Sequence, residues 1–425
     1  MRTLATLFVF LSALAANAQH DCGFDHYHNH KLSLPGYEDA ETELNYRAAE
    51  YILAHQGFER EVDLVVPVVV HIIHQNGDEN ISDAQVELAI EQLNHGFANT
   101  GPYFLPTGVD THIRFCLAGT DPDGNFTTGI NRVQNNLTEM FVPSDDAALK
   151  DIIRWDTEKY MNIWVVKEIT REPNSPGVIG YATFPAEHGS AIDGIVCEAA
   201  FFGVDDSQSK VHIHEAGHYL GLYHTFQNGC PNSNCLLDGD RVCDTPPDNV
   251  TFSVFCYNGT NSCITDEDDL SVSNPFRPVA NGGIGDQVDK QDNFMDYSNL
   301  VCFKDFTQGQ ADRMLAVLEV ARQSLLEGNR CVTPCESPFE AQINVSSTST
   351  IVGSPIPFSA DIPSDVAVSW TVDDVPAGTG ASFNFPASAE GQFELVVVLS
   401  NADIGCDQEF IYLIDVSCPI SAVFP

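Results

Sequence analysis

His214-Glu215-Ala216-Gly217-His218-Tyr219-Leu220-Gly221-Leu222-Tyr223-His224 is the stretch from which the rest of the chain is read. On a helix, positions i and i+4 differ by only about 40° of rotation, so His214 and His218 present both imidazoles to one ion. Glu215 then lies beside that ion without being a ligand. His224 stands six residues beyond His218, about 240° further round if the helix continued, so the chain must turn before it. Gly221 supplies the turn, because glycine takes the left-handed backbone conformation at little steric cost. Three neutral imidazoles leave the fourth position of a tetrahedral Zn²⁺ open to water, which separates a catalytic site from a closed structural one. Histidines on an ordinary amphipathic helix are the plainer reading, but they require neither the glycine nor the third histidine at these spacings.

Outward from this stretch, Leu64-Val65-Val66-Pro67-Val68-Val69-Val70-His71-Ile72-Ile73 reads as a buried strand. Pro67 cannot donate to a ladder, so the strand starts at Val68 or lies at a sheet edge up to that point. Ser82 N-caps an amphipathic helix to about Phe97, with Val86, Ile90 and Leu93 on one face. Further strands are read at His112 to Ala118, Met161 to Val166 and Gly194 to Ala200, with a helix at Ala40 to His55 and a last one at Gln308 to Glu327. Strands and helices alternate, so residues 61–330 form a mixed α/β (α+β) catalytic domain. From Cys331 the pattern changes to short strand-like runs at Ala341 to Val345, Val366 to Val372 and Phe393 to Ser400. Residues 335–417 read as an all-β sandwich, immunoglobulin-like or PKD-like. Cys418-Pro419-Ile420-Ser421-Ala422 faintly echoes the sandwich's own start, so 418–425 could open a further module.

Residues 1–18 carry Arg2, an apolar run from Leu4 to Leu14 and the ending Ala16-Asn17-Ala18, the pattern of a secretory signal. The polar, His-rich stretch 19–60 reads as a prosegment. No later run approaches the ~18 to 20 apolar residues of a membrane span. A formal net charge of −41 excludes nucleic acid and anionic lipid surfaces as partners. Thirteen cysteines fit an oxidising, extracellular compartment.

The chain resembles the metzincins, whose HExxHxxGxxH pattern it matches at every fixed position. The resemblance implies a methionine turn beneath the zinc, and Asn293-Phe294-Met295-Asp296-Tyr297-Ser298 looks like it, with Met295 as its apolar floor. Tyr297 matches the tyrosine that in several metzincin groups stabilises the oxyanion; packing alone is the alternative. Within that class, Gly239-Asp240-Arg241-Val242-Cys243-Asp244-Thr245-Pro246-Pro247, Asn162-Ile163-Trp164 and the run Phe306-Thr307, Gln310, Arg313-Met314 are similar to the pappalysins, especially their bacterial cytophagalysin-like branch. The similarity covers about Leu64 to Leu326.

That resemblance implies structural Ca²⁺ held by Asp238, Asp240, Asp244 and Thr245, or else a solvated acidic turn. It also implies a stapled loop, with Cys256–Cys302 and Cys235–Cys263 as the pairs. Cys22-Gly23 resembles the prosegment pair whose thiolate caps the zinc in a latent form. A disulfide, or metal binding with His26, His28 and His30, are the other uses open to Cys22. The segment Ser298 to Phe303 lines the primed-side pocket in relatives and is apolar here.

These readings lead to a secreted zinc-dependent endopeptidase, made as a zymogen and acting on proteins or peptides. Glu215 would take a proton from metal-activated water and pass it to the departing amine. The sandwich would contact a surface or matrix ligand. The alternatives are a catalytically silent adhesion or binding protein ordered by zinc, and a zinc amidase.

Overall fold

The computed structural model describes residues 21–55, 62–171, 177–249, 256, 259–264, 269–297, 299–328, 330–331, 341–364, 366–373, 375–401 and 406–418. The secretory signal expected at 1–18 lies outside them, as does most of the module expected at 418–425. The chain divides into two compact units: residues 1–117 with 130–327, and residues 118–129 with 328–425. Residues 118–129, read from sequence as part of the first domain, therefore group with the second unit.

In the first unit, helices α1 (Phe24–Leu32), α2 (Tyr37–Ala54), α3 (Asp83–Phe97), α4 (Asp146–Ile152), α5 (Val211–Tyr219) and α6 (Gln308–Ala321) accompany one mixed sheet. Its strands are β1 (Asp21–Cys22), β2 (Leu64–His74), β3 (Ile113–Leu117), β4 (Ile130–Gln134), β5 (Glu139–Phe141), β6 (Met161–Val166), β7 (Glu168–Thr170), β8 (Gly177–Ala182) and β9 (Ile195–Glu198). The order β3-β2-β6-β9-β8-β7-β5 puts the apolar β2 inside the sheet, with β4 also pairing to β2 and β1 to β8. Pro67 is tolerated because β2 pairs with β6 only from Val68 onwards; before that, β3 is its neighbour. Most pairs are parallel, whereas β8 runs antiparallel to β9 and β7.

Alternation along the strands buries both faces of this sheet. Val70, Ile72, Ile163 and Val165 share a core with Ile213 and Ala216 of α5 and with Leu93 of α3. Ile73, Trp164, Val166 and Val196 join a second cluster with Leu149 and Tyr181. The Ser82 side chain accepts the Gln85 N–H at 3.2 Å, the N-cap that starts α3; such a cap is worth about 1 kcal/mol. A capping box of Thr307 and Gln310 starts α6. Helix α1 and strand β1 had no counterpart in the sequence reading, because a two-residue strand and a polar helix carry no clear periodicity.

The second unit holds a three-stranded sheet, β10 (Gln342–Val345), β12 (Ile356–Asp361) and β15 (Ser382–Phe385), and a five-stranded sheet in the order β11-β17-β16-β13-β14. The latter comprises β11 (Ser349–Ile351), β13 (Val366–Val372), β14 (Val375–Thr379), β16 (Gly391–Asn401) and β17 (Cys406–Ser417). Inward-facing Val366, Val368 and Trp370 of β13 meet Leu395, Val397 and Leu399 of β16, and Phe358 of β12 joins them. This is a β-sandwich whose core follows from period-two alternation.

Candidate metal centre

Helix α5 ends at Tyr219 because the next turn closes with Gly221 N–H on the His218 carbonyl and Leu222 N–H on the Gly217 carbonyl, both at 2.9 Å. That is the helix stop in which a left-handed residue follows the C-cap. Gly221 takes φ +89°, and a Cβ there would stand 2.7 Å from Val317 Cγ2. The reversal brings His224 back towards the helix. The Nε2 atoms of His214, His218 and His224 lie 3.1, 3.1 and 3.3 Å apart.

Each ring is aimed from behind. His214 Nδ1 meets the Phe294 carbonyl at 2.5 Å, His218 Nδ1 the Leu222 carbonyl at 2.8 Å, and His224 Nδ1 Asp25 Oδ1 at 3.2 Å. A ring that donates from Nδ1 has its Nε2 lone pair free, and three such lone pairs facing one point favour a cation between them. Burial, with His224 adding to it, pushes His214 down to about 3 and His218 well below the ordinary imidazole range, so both rings are neutral. Cys22 Sγ completes a group of four potential ligand atoms that all lie within 4.8 Å of one another. Three imidazole nitrogens and one sulfur suit a tetrahedral Zn²⁺. Burial and then the Glu215 carboxylate push the Cys22 thiol well up, so its thiolate form here calls for a bound cation.

Glu215 is fully buried, with Oε1 accepting from Cys22 Sγ at 3.2 Å and Oε2 without a hydrogen-bond partner among the described residues. Burial raises its carboxyl to about 8. Strand β8 passes close above it: a Cβ on Gly180 would lie 3.1 Å from Glu215 Oε1 and 2.8 Å from Val211 Cγ1. Below the histidines Met295 is wholly buried, and Gly217 makes room for it, since a Cβ there would meet Met295 Sδ at 2.4 Å. The turn carrying Met295 is fixed by Asn293, which accepts the Met295 N–H at 2.9 Å and exchanges two hydrogen bonds with Gln310. Tyr297 Oη donates to the Cys22 carbonyl at 3.2 Å, and its ring stands against that of His224.

Two residues next to Cys22 were missed in the sequence. The Phe24 ring stacks on His218 at 3.8 Å and 5°, and Asp25 orients His224. The one available signal was a carboxylate three positions after a cysteine, too common to read.

The acidic loop is laced by side-chain hydrogen bonds. Asp240 Oδ2 and the Val242 carbonyl both accept from Thr245 Oγ1, at 2.6 and 3.2 Å. Asp244 instead accepts from Thr307 Oγ1 and Gly309 N–H, and Asp238 from Ser233 Oγ and Asn234 N–H. The cysteine expectation needs correction in one of its two pairs. Cys256 is bonded to Cys302, but Cys235 pairs with Cys243 and it is Cys230 that meets Cys263. The turn closed by Leu237 and Asp238 N–H on the Asn234 carbonyl folds the chain back on itself, so Cys235 meets its near neighbour in sequence. Cys22 has no disulfide.

The family model Peptidase M43, described as pregnancy-associated plasma protein-A, matches residues 145–319. An extracellular metalloprotease of Arthroderma otae is 27% identical over 333 residues, 74% of this chain and 98% of that protein. One from Verticillium alfalfae is 32% identical over 244 residues, 55% of this chain and 67% of that protein. Among solved structures, a glutamate-to-alanine mutant of Tannerella forsythia promirolysin aligns with a TM-score of 0.54 and 25% identity, over 72% of this chain and 97% of that one. Fold and site together define a zinc metalloendopeptidase of the metzincin class. The chain belongs to the pappalysins, peptidase family M43.

The helix stop permits a direct check of the geometry. Gly221→Ala places a Cβ in the left-handed region, a cost of about 1–2 kcal/mol before the contact with Val317 is counted. The expected result is a lower Tm and a reduced zinc content in the purified protein. An unchanged Tm and full zinc occupancy would show that His224 does not depend on this turn.

Proposed function

We propose that this chain is a secreted endopeptidase, made latent, in which His214, His218 and His224 hold zinc, Glu215 is the general base and Cys22 blocks the site until the N-terminal segment leaves. The observation that carries the reading is the meeting of three Nε2 lone pairs with the Glu215 carboxylate and the Cys22 sulfur at one buried point. Bound zinc supplies Lewis acidity, which makes water easier to deprotonate and polarises a peptide carbonyl.

Glu215 accepts the water proton at its carboxylate and returns it to the amine of the departing peptide. Its buried setting supports this role, because a carboxyl with a raised affinity for protons can hold one between the two transfers. Tyr297 donates from its hydroxyl to the carbonyl oxygen as charge builds there, and its hydrogen bond to the Cys22 carbonyl supports that direction. Met295 forms the apolar floor.

Latency is supported by the position of the segment. Strand β1 lies on β8, with Cys22 opposite Gly180, and Phe24 covers His218, so a substrate cannot reach Glu215 while they stay. Secretion is supported by the signal pattern at 1–18 and by the relatives named as extracellular metalloproteases; no helix among the described residues is long and apolar enough to cross a membrane.

Cys22→Ser tests the latency. A serine hydroxyl is a much weaker zinc ligand than a thiolate, so the exchange is expected to raise the activity of the uncleaved chain on casein about tenfold to a hundredfold. An uncleaved Cys22→Ser protein no more active than the wild-type precursor would sink the switch. Zinc content measured on both proteins distinguishes unblocking from loss of the metal.

A further inference from the structure

Tyr27 of α1 is 2% exposed, inserted among residues of the catalytic unit. Its hydroxyl donates to Asp146 Oδ2 at 2.8 Å. The other oxygen of Asp146 accepts from Tyr181 Oη at 2.7 Å and from Lys150 Nζ at 2.8 Å, and Lys150 is anchored again on the Ile192 carbonyl at 2.7 Å. The Tyr27 ring stands 5.0 Å from that of Tyr181, and the Lys150 ammonium lies 5.6 Å from its centre. Apart from Tyr27 itself, every group in these contacts comes from α4, β8 and the stretch before β9. The slot is therefore tied together without the phenol that fills it.

Its position relates it to the metal centre. Asp21 lies opposite Val178 and Cys22 opposite Gly180 on β8, and Val178 packs in the same cluster as Tyr27. Two positions along a strand span about 6.6 Å. An extended chain lying on β8 in place of β1, with its reacting bond where Cys22 now sits, thus passes the slot within about two or three residues of that bond.

On the reading that the N-terminal segment is removed on activation, we propose that the slot vacated by Tyr27 is a substrate subsite for a tyrosine side chain. Removal of Tyr27 leaves Asp146 Oδ2, on a residue that is 3% exposed, without its phenol partner at the bottom of an aromatic-walled slot. A phenol satisfies that acceptor, whereas a phenylalanine ring of the same shape leaves a buried carboxylate oxygen unpaired. Lys150 holds the carboxylate in place from its other oxygen, so the slot retains its recognition chemistry when empty.

The test uses the full chain activated by limited proteolysis, with fluorogenic peptides in which Tyr, Phe or Ala is moved one position at a time on both sides of the cleaved bond. Within about three residues of that bond, one position is expected to show a kcat/KM for Tyr about tenfold to a hundredfold above Phe, the discrimination of one hydrogen bond to a charged group. Asp146→Asn is expected to bring the ratio down towards one. Should that variant fail to fold, competition on the wild-type enzyme decides, with N-acetyl-tyrosinamide expected to inhibit more strongly than N-acetyl-phenylalaninamide. Trimmed protein that is faster than the untrimmed chain on the Ala peptide but shows no Tyr preference anywhere overturns the slot alone. Trimmed and untrimmed proteins of equal speed overturn the latency reading, and the vacated slot with it.

Discussion

Glu215→Gln is expected to lower kcat on protein substrates by about 10²–10⁴-fold while leaving fold and zinc content intact, the range that a positioned general base contributes. The substitution is nearly isosteric, and the Glu215 side chain is wholly buried with one oxygen lacking a partner among the described residues. A charged carboxylate in that setting costs stability, as its raised proton affinity records. The neutral amide removes the charge and keeps the shape, so Tm should stay level or rise. The loss of turnover must therefore come from missing proton transfer and not from unfolding. Zymography, thermal denaturation and zinc content on the same preparation check all three parts; wild-type activity in Glu215→Gln would remove the base from the mechanism.

The second large effect is on stability. Arg322 and Asp193 are both fully buried, joined by two hydrogen bonds of 2.6 and 2.9 Å. Arg322 also donates from Nε to the Tyr219 carbonyl at 2.8 Å and lies over the Tyr219 ring, 3.5 Å from its centre. Tyr219 is the last residue of α5, so this guanidinium satisfies a carbonyl at the end of the helix that carries His214 and His218 and opposes its dipole. Arg322→Ala would leave the Asp193 carboxylate buried with no cation facing it. The expected cost is about 3–5 kcal/mol, read as a large drop in Tm or in the denaturation midpoint. A loss under about 1 kcal/mol would show that water or His188 replaces the guanidinium.

The same pair sets a pH dependence. Burial by itself would raise the Asp193 carboxyl, but Arg322 and His188 outweigh it and hold it below its ordinary value of 3.8. A group whose folded pKa is depressed contributes stability that is complete above the unfolded pKa and is lost as pH falls through the folded one. The wild-type advantage over Arg322→Ala should therefore be full at neutral pH and shrink below about pH 4.

Local spacing determined a good part of this chain. An i, i+4 pair of histidines on a helix, a glycine where the helix must stop and a third histidine beyond it are constraints among eleven neighbouring residues. Helix geometry and the turn that ends the helix bring the three imidazoles to one point. The strands at Leu64 and Met161, the capped helix at Ser82 and the switch to short strands after Cys331 were legible for the same reason: periodicity and caps are properties of neighbours in sequence.

What the tertiary structure decided are contacts between residues far apart in the chain. Cys22 reaches Glu215 across 193 positions, and Asp25 reaches His224 across 199. Thr307 reaches Asp244 across 63 positions, and Cys263 took Cys230 rather than Cys235. Many partners of the right chemistry compete for each such group, and only the packed sheet and helices choose among them. Spacing could specify where a zinc ion would sit, but which side chains orient, cover and plug the site depended on the fold.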